Sequence, residues 1–270
     1  MEQSLALNIL KTGRNTMLTG MAGAGKTYVL NEYIDYLKKR RIKFAVTAST
    51  GIAASHLNGM TIHSWSGIGV KETLSISDLE SIKAKKFNIE DTAVLIIDEI
   101  SMLHSRQFEL VDEVLRFCRE NDEPFGGIQI IVCGDFFQLP PVEKNKDTGS
   151  AKFCFMSPVW VSAKFHICYL TKQYRQQGDV LSDILNQIRS DTVTQESLDM
   201  IRATKTNDLG DKYTRLYTHN INVDEVNNKY LNELETKEYS FQALFEGNNF
   251  LCDLLMRQSR IQEIFKFKVG

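Results

Sequence analysis

The sequence predicts an α/β fold in which a parallel sheet is covered by helices on both faces. Three observations carry that expectation. Apolar, largely β-branched runs alternate with segments of helical periodicity along the first 190 residues. A glycine-rich turn, GMAGAGKT at 20–27, joins a strand-like run to a helix-like one. The apolar runs VLIID and IQIIVCGD stop abruptly at acids, as strands do when their carboxyl ends line a crevice.

In chain order, TMLTG (16–20) is a short strand. KTYVLNEYIDYLKKR has apolar positions at helical spacing and a basic end that suits the helix dipole. KFAVTAST (43–50) is the next strand, and TAVLIIDEI (92–100) is apolar enough to be buried on both faces. RQFELVDEVLRFCRE is an amphipathic helix, IQIIVCGD another buried strand and FHICYLTKQYR (165–175) one more. Beyond about residue 190 the texture changes. VTQESLDMIRATKTNDLGDKY reads as polar connecting chain, then come a strand TRLYTH, a helix NVDEVNNKYLNELE and an apparent strand at FKFKVG. The expected domains are residues 1–190 and an incomplete unit at 191–270.

At 270 residues, 43% hydrophobic and 24% charged, the chain has the composition of an ordinary globular protein. No stretch approaches the ~18 apolar residues of a membrane span. MEQSLALNILKTGRN lacks a basic start before an apolar core, so no signal peptide is expected. The five cysteines show no C-x-x-C spacing and are odd in number, which favours buried free thiols in the cytoplasm over disulfides or a zinc site. A net charge of -2, with neither part basic overall, excludes a histone-like nucleic-acid binder. Any nucleic-acid contact must come from a local groove.

GMAGAGKT matches G-x-x-x-x-G-K-[ST] in full, between a strand and a helix. Gly20, Gly23, Ala24 and Gly25 would turn backbone N–H groups toward phosphate oxygens, aided by the helix N-terminus. Lys26 would reach the β- and γ-phosphates, and the Thr27 hydroxyl would ligate Mg²⁺. Asp98 and Glu99 end a buried strand. There Asp98 would hold Mg²⁺ and Glu99 would orient and deprotonate the attacking water, although an acidic helix cap is the bland alternative. Gln138, in GDFFQLPPV, can hydrogen-bond a γ-phosphate or the water beside it; otherwise it is a surface loop residue. The basic run KKRRIK (38–43) reads as a solvated helix end.

Five ordered motifs resemble those of the PIF DNA helicases, relatives of RecD in superfamily one, type B. GDFFQLPPV is similar to that superfamily's third motif, and FELVDEVLRFCRENDEPFGGIQ to the segment that marks the PIF branch. ASTGIAASHLNGMTIHSWSGIG (48–69) resembles the DNA-contacting motif Ia, LTKQYRQ (170–176) motif IV, and the EQ at 2 and 3 the adenine-reading glutamine ahead of the phosphate loop. The resemblance covers residues 2 to about 235. It implies a RecA-like P-loop lobe at 1–190 and part of a second RecA-like lobe at 191–270. It also implies Mg-ATP hydrolysis driving 5′ to 3′ movement on single-stranded DNA or DNA with a 5′ overhang, by a monomer, in DNA repair and telomere maintenance. If prokaryotic, the protein would be nucleoid-associated. Gln3 would read adenine, Gln138 would sense the γ-phosphate, and Arg175 would act as an arginine finger in cis; a surface arginine is its plainer reading. Thr50 and Gly51 would meet a DNA phosphate. His63, Ser64 and Trp65 would add polar contacts and a stacking face. Trp65 fits a core aromatic equally well, and His63 a structural histidine.

The family's Thr-x-His-Lys-x-Gln-Gly and Val-Ala-Leu-x-Arg segments are absent. The second lobe is therefore expected to be truncated, with unwinding in question. Two other classes stay open: a P-loop enzyme acting on a small molecule, such as a kinase, and a module that binds ATP and DNA without productive unwinding.

Overall fold

The computed structural model describes residues 1–85, 88–142, 152–172, 180–205, 214, 216–217, 220–247, 252, 256 and 263–269. The chain divides into two units, Met1–Thr194 and Gln195–Gly270.

In the first unit the elements run α1 (Gln3–Leu10), β1 (Thr16–Gly20), α2 (Lys26–Lys39), β2 (Phe44–Ala48), α3 (Gly51–His56), β3 (Met60–Thr61), α4 (Ile62–Ser66), α5 (Ile76–Lys85) and α6 (Asn88–Asp91). They continue through β4 (Val94–Asp98), α7 (Ser105–Arg119), β5 (Gln129–Cys133), α8 (Pro158–Ser162), β6 (His166–Leu170) and α9 (Val180–Ser190). The six strands form one sheet in the order β3-β2-β4-β5-β1-β6. All its pairings are parallel. The register places Ala48 beside Asp98, Ile97 beside Val132 and Leu18 beside Cys133, so the carboxyl ends of β2, β4, β5 and β1 lie side by side.

The side-chain period of two splits each central strand between two cores. Val94 and Ile96 of β4, with Ile131 and Cys133 of β5, pack under α1 and α2 among Leu10, Leu30 and Tyr33. Leu95, Ile97, Ile130 and Val132 face the opposite side, among Phe108, Val111 and Leu115 of α7. Burial on both faces explains why these runs are continuously apolar. A polar network ties the first core together. The Tyr33 hydroxyl donates to Gln129 Oε1 at 2.7 Å, while Gln129 Nε2 donates to the carbonyls of Leu10 and Arg14 at 2.8 and 2.9 Å. Burial pushes the Tyr33 phenol up to about 12, so it stays a donor.

α7 begins at a capping box, with His104 Nδ1 accepting the Arg106 N–H and Gln107 reaching back to the His104 backbone. The basic run takes in the last residues of α2 and the chain just after it, and its lysines and arginines are exposed, as expected of a solvated helix end. FHICYLTKQYR forms β6 only to Leu170, and residues 173–175 lie outside the described residues.

The second unit holds α10 (Gln195–Thr204), α11 (Asn220–Glu233) and an antiparallel pair, β7 (Glu238–Gln242) with β8 (Ile264–Lys268). α10 corrects the expectation of connecting chain at 193–213. Apolar Leu198 and Ile201 sit three apart among good helix formers, a spacing masked by the polar composition. Of the expected strand TRLYTH, Thr214, Leu216 and Tyr217 are described outside any strand, and 215, 218 and 219 lie outside the described residues. No helix among the described residues is long and apolar enough to cross a membrane.

Two outcomes test this packing. Phe108 is fully buried against Phe125 at 5.1 Å between ring centroids, so Phe108→Ala is expected to lower the unfolding free energy by about 3–5 kcal/mol in urea melts. Cys118, Cys133, Cys154 and Cys168 are buried and Cys252 is not, and burial raises the Cys118, Cys133, Cys154 and Cys168 thiols. Titration with Ellman's reagent should therefore find one fast thiol in the native protein and all five in urea.

Candidate active site

The phosphate-loop sequence folds as the motif requires. Gly23 and Gly25 take φ of 77° and 84°, left-handed values that a side chain would resist, and Gly25 leads directly into α2. Lys26 folds back over this loop, its Nζ donating to the carbonyls of Gly20 at 2.8 Å and Met21 at 3.2 Å. Ala24 is fully buried, and its carbonyl accepts Gln3 Nε2 at 3.1 Å. The glutamine that opens α1 is thus tied to the loop 21 residues away. Thr27, on the first turn of α2, is exposed.

Asp98 ends β4, and its Oδ1 accepts the Glu99 N–H at 2.9 Å. Glu99 holds φ 52°, a left-handed turn that costs a non-glycine residue about 1–2 kcal/mol. Its backbone is pinned from the neighbouring strand end. Ser49 Oγ donates to the Glu99 carbonyl at 2.7 Å, and the Ser49 N–H donates to the Asp98 carbonyl at 3.2 Å. Burial pushes the Glu99 carboxyl up, as do Asp98 and Asp135, while Lys26 pulls it back. A Cβ on Gly134 would stand 3.0 Å from the Ile100 nitrogen, so the end of β5 presses against the chain just after Glu99.

At that strand end Asp135 is 1% exposed and receives the guanidinium of Arg189 from α9. Burial alone would raise its carboxyl; the Arg189 contact, the Phe137 N–H and the Arg189 and Lys26 charges hold it below the usual carboxylate range. Gln138 sits on an exposed turn, its N–H donating to the Asp135 carbonyl at 2.9 Å between exposed Phe137 and Leu139.

On the β2 side, the Thr50 hydroxyl accepts the Ala53 N–H at 3.3 Å and caps α3. Gly51 is exposed, with open space where a Cβ would be. His63 is half-buried beside Gln107, and burial lowers its pKa, leaving it neutral at pH 7. Ser64 is exposed. Trp65 corrects the expected stacking set: it is 2% exposed and packs in the core with Ile62 and Ile68. A base needs an open ring face, and this one is covered. Arg175 lies outside the described residues.

The structure therefore brings together Gln3, Ala24 and Lys26 around one loop, and Asp98, Glu99 and the β2 end around another. Sequence reasoning missed Ser49, Asp135 and Arg189. Asp135 was visible as an acid closing a strand, but its partner 54 residues away carried no local signal.

Comparison with known proteins identifies the family. Residues 2–209 match a family model described as PIF1-like helicase. The chain is 50% identical over 281 residues to the ATP-dependent DNA helicase Pif1 of Psychrobacter sp. (strain PRwf-1), covering 100% of this chain and 43% of that protein. It is 40% identical over 253 residues to the ATP-dependent DNA helicase RRM3 of Saccharomyces cerevisiae, covering 90% of this chain and 35% of the relative. The chain thus spans less than half the length of these two curated relatives. Among solved structures, the Pif1 helicase from Candida albicans superposes with a TM-score of 0.82 at 31% identity, covering 100% of this chain and 63% of the other. The Pif1 helicase from Bacteroides in complex with ADP-AlF3 and ssDNA superposes with a TM-score of 0.73 at 30% identity, again covering 100% and 63%. With a family match over most of its residues and a RecA-like fold shared with these structures, this chain belongs to the PIF1-like helicase family.

Proposed function

We propose that this chain is the ATP-hydrolysing part of a DNA helicase that moves 5′ to 3′ on single-stranded DNA. Residues 1–190 form the first motor lobe and 191–270 part of the second. One observation carries the reading. Ser49 bonds the backbone of both Asp98 and Glu99, and the next residue, Thr50, opens the segment expected to meet DNA. The nucleotide acids and the proposed strand contact are therefore joined through one residue of backbone.

In the reaction the phosphate loop and Lys26 bind the triphosphate, exchanging the Gly20 and Met21 carbonyls for phosphate oxygens. Gln3, held to the Ala24 carbonyl, places its amide to read adenine. Thr27 and Asp98 suit Mg²⁺, which takes one or two protein oxygens and completes its shell with phosphates and water. Among the described residues no cluster of three or more His, Cys, Asp or Glu offers a fuller cage. When bound, the ion would neutralise charge on the β- and γ-phosphates. Glu99, its carboxyl raised by burial and by Asp98, is primed to take a proton from the attacking water. Gln138 senses the γ-phosphate, and Arg175 is proposed as the finger that stabilises the transferring group. Thr50, Gly51, His63 and Ser64 supply the strand contact. Neutral His63 acts there by hydrogen bonding and not by charge.

The partners proposed are single-stranded DNA and DNA with a 5′ overhang, bound by one chain at a time in the cytoplasm or nucleoid, with service in DNA repair and at telomeres. A matching structure describes two coordinating Pif1 helicases at forked DNA, so sedimentation with and without a fork tests the stoichiometry.

ATP hydrolysis with and without a poly-pyrimidine strand tests the proposal, with Lys26→Ala as the blank. DNA should stimulate turnover, and Glu99→Gln should keep nucleotide affinity while losing about 10²–10⁴ in kcat. Turnover indifferent to DNA would remove the motor reading. A separate outcome concerns the base: Gln3→Ala should narrow the preference for ATP over GTP by about 10-fold or more, and an unchanged ratio would remove Gln3 from base recognition.

A further inference from the structure

We propose that Arg189 is a positioning residue for the nucleotide site, gripping Asp135 and thereby setting the turn that carries Gln138. This role rests on Gln138 sensing the γ-phosphate.

Gln138 is exposed on a turn between two exposed apolar residues, so packing does little to fix it. Its backbone is held from one residue. The Asp135 carbonyl accepts the Gln138 N–H at 2.9 Å, and Asp135 Oδ1 accepts the Phe137 N–H at 3.2 Å. Asp135 is in turn held by Arg189, whose Nη1 donates to Oδ1 at 3.0 Å and whose Nη2 donates to Oδ2. The same guanidinium lies 4.7 Å from the centre of the Phe137 ring. One planar fork therefore fixes a carboxylate, through it the Phe137 amide, and by direct contact the Phe137 ring, while the backbone carbonyl of the same aspartate holds the Gln138 amide.

The pair sits where such a device is expensive to build. Asp135 is 1% exposed and the Arg189 side chain 17%, and a buried ion pair contributes little to net stability after desolvation. Its geometry is the stronger reason for its presence. A bidentate fork orients a carboxylate in a way that a lysine point charge cannot. The pair also lies within electrostatic reach of the site, since the Asp135 charge acts on Glu99 and the Lys26 charge on Asp135.

Arg189→Ala would leave a buried carboxylate unpaired and risks unfolding, so Arg189→Lys, which keeps the charge and loses the fork, is the main variant. Asp135→Asn, which removes the buried charge, is the second. Two measurements on the full 270-residue chain decide the matter. Hydrogen exchange on the nucleotide-free protein should show the Phe137 and Gln138 amides exchanging about tenfold faster in Arg189→Lys, with β4 and β5 protection unchanged. ATP turnover with single-stranded DNA should fall in Arg189→Lys about as far as in Gln138→Ala. The double variant should be no worse than either, and the affinity for trinitrophenyl-ATP should stay within about twofold. Unchanged exchange at both amides in both Arg189→Lys and Asp135→Asn, or losses that multiply in the double variant, would overturn the role. If Gln138→Ala leaves turnover intact, the sensor reading fails by itself, and exchange alone then decides whether Arg189 sets the turn.

Discussion

The site depends on one constraint: β1, β4 and β5 are adjacent, parallel and buried on both faces. With apolar side chains locked into two cores and backbone ladders on both edges, these strands have no freedom to slide or splay. Their carboxyl ends must therefore finish together. The phosphate loop, the Asp98–Glu99 pair and the Gly134–Asp135 turn are consequences of that register, each formed where a buried strand runs out. The Tyr33–Gln129 network extends the same rigidity to α2 and to the end of α1, the two helices that carry Lys26 and Gln3.

Charge is concentrated at this edge. Asp98, Glu99 and Asp135 close neighbouring strands, and such a cluster repels itself unless each acid has an answer. Asp135 is answered outright by the Arg189 fork and is held ionised. Asp98 accepts the Glu99 N–H. Glu99 alone is left with burial and two like charges against a single opposing lysine, and its carboxyl is raised. Three carboxylates at two neighbouring strand ends thus have three different environments, and the one left proton-hungry is the one assigned to activate water. Arg189 has a part in this division, because an unpaired Asp135 would compete for the same cation.

The side proposed to meet single-stranded DNA is built differently. Trp65 is sealed in the core, and the residues left nearer the surface are a helix cap, a glycine, a neutral histidine and a serine. That set suits hydrogen bonding to a backbone, and its one aromatic ring is the half-buried imidazole of His63. With a net charge of -2 and no basic field, grip by individual polar contacts is also what the composition allows.

Local chemistry alone dictates the sheet, the succession of its strands along the chain, the loop at 20–27 and the acids at 98 and 99. It does so through β-branched runs, glycines where backbone must turn, and acids where burial ends. Gln3 and Gln138 were singled out through their resemblance to family motifs, and the folded chain ties Gln3 to the phosphate loop. Sequence reasoning missed α10, whose helically spaced apolar residues were diluted by polar neighbours. It left Trp65 undecided, because an aromatic beside a polar pair reads the same in a core or a groove. It took the folded chain to show that Trp65 is covered, that Ser49 clasps the backbone of both acids, and that Asp135 has a partner 54 residues downstream. The physical reason is common to all three. Burial and pairing are properties of what arrives from elsewhere in the chain, and no periodicity or spacing around a residue records what will pack against it.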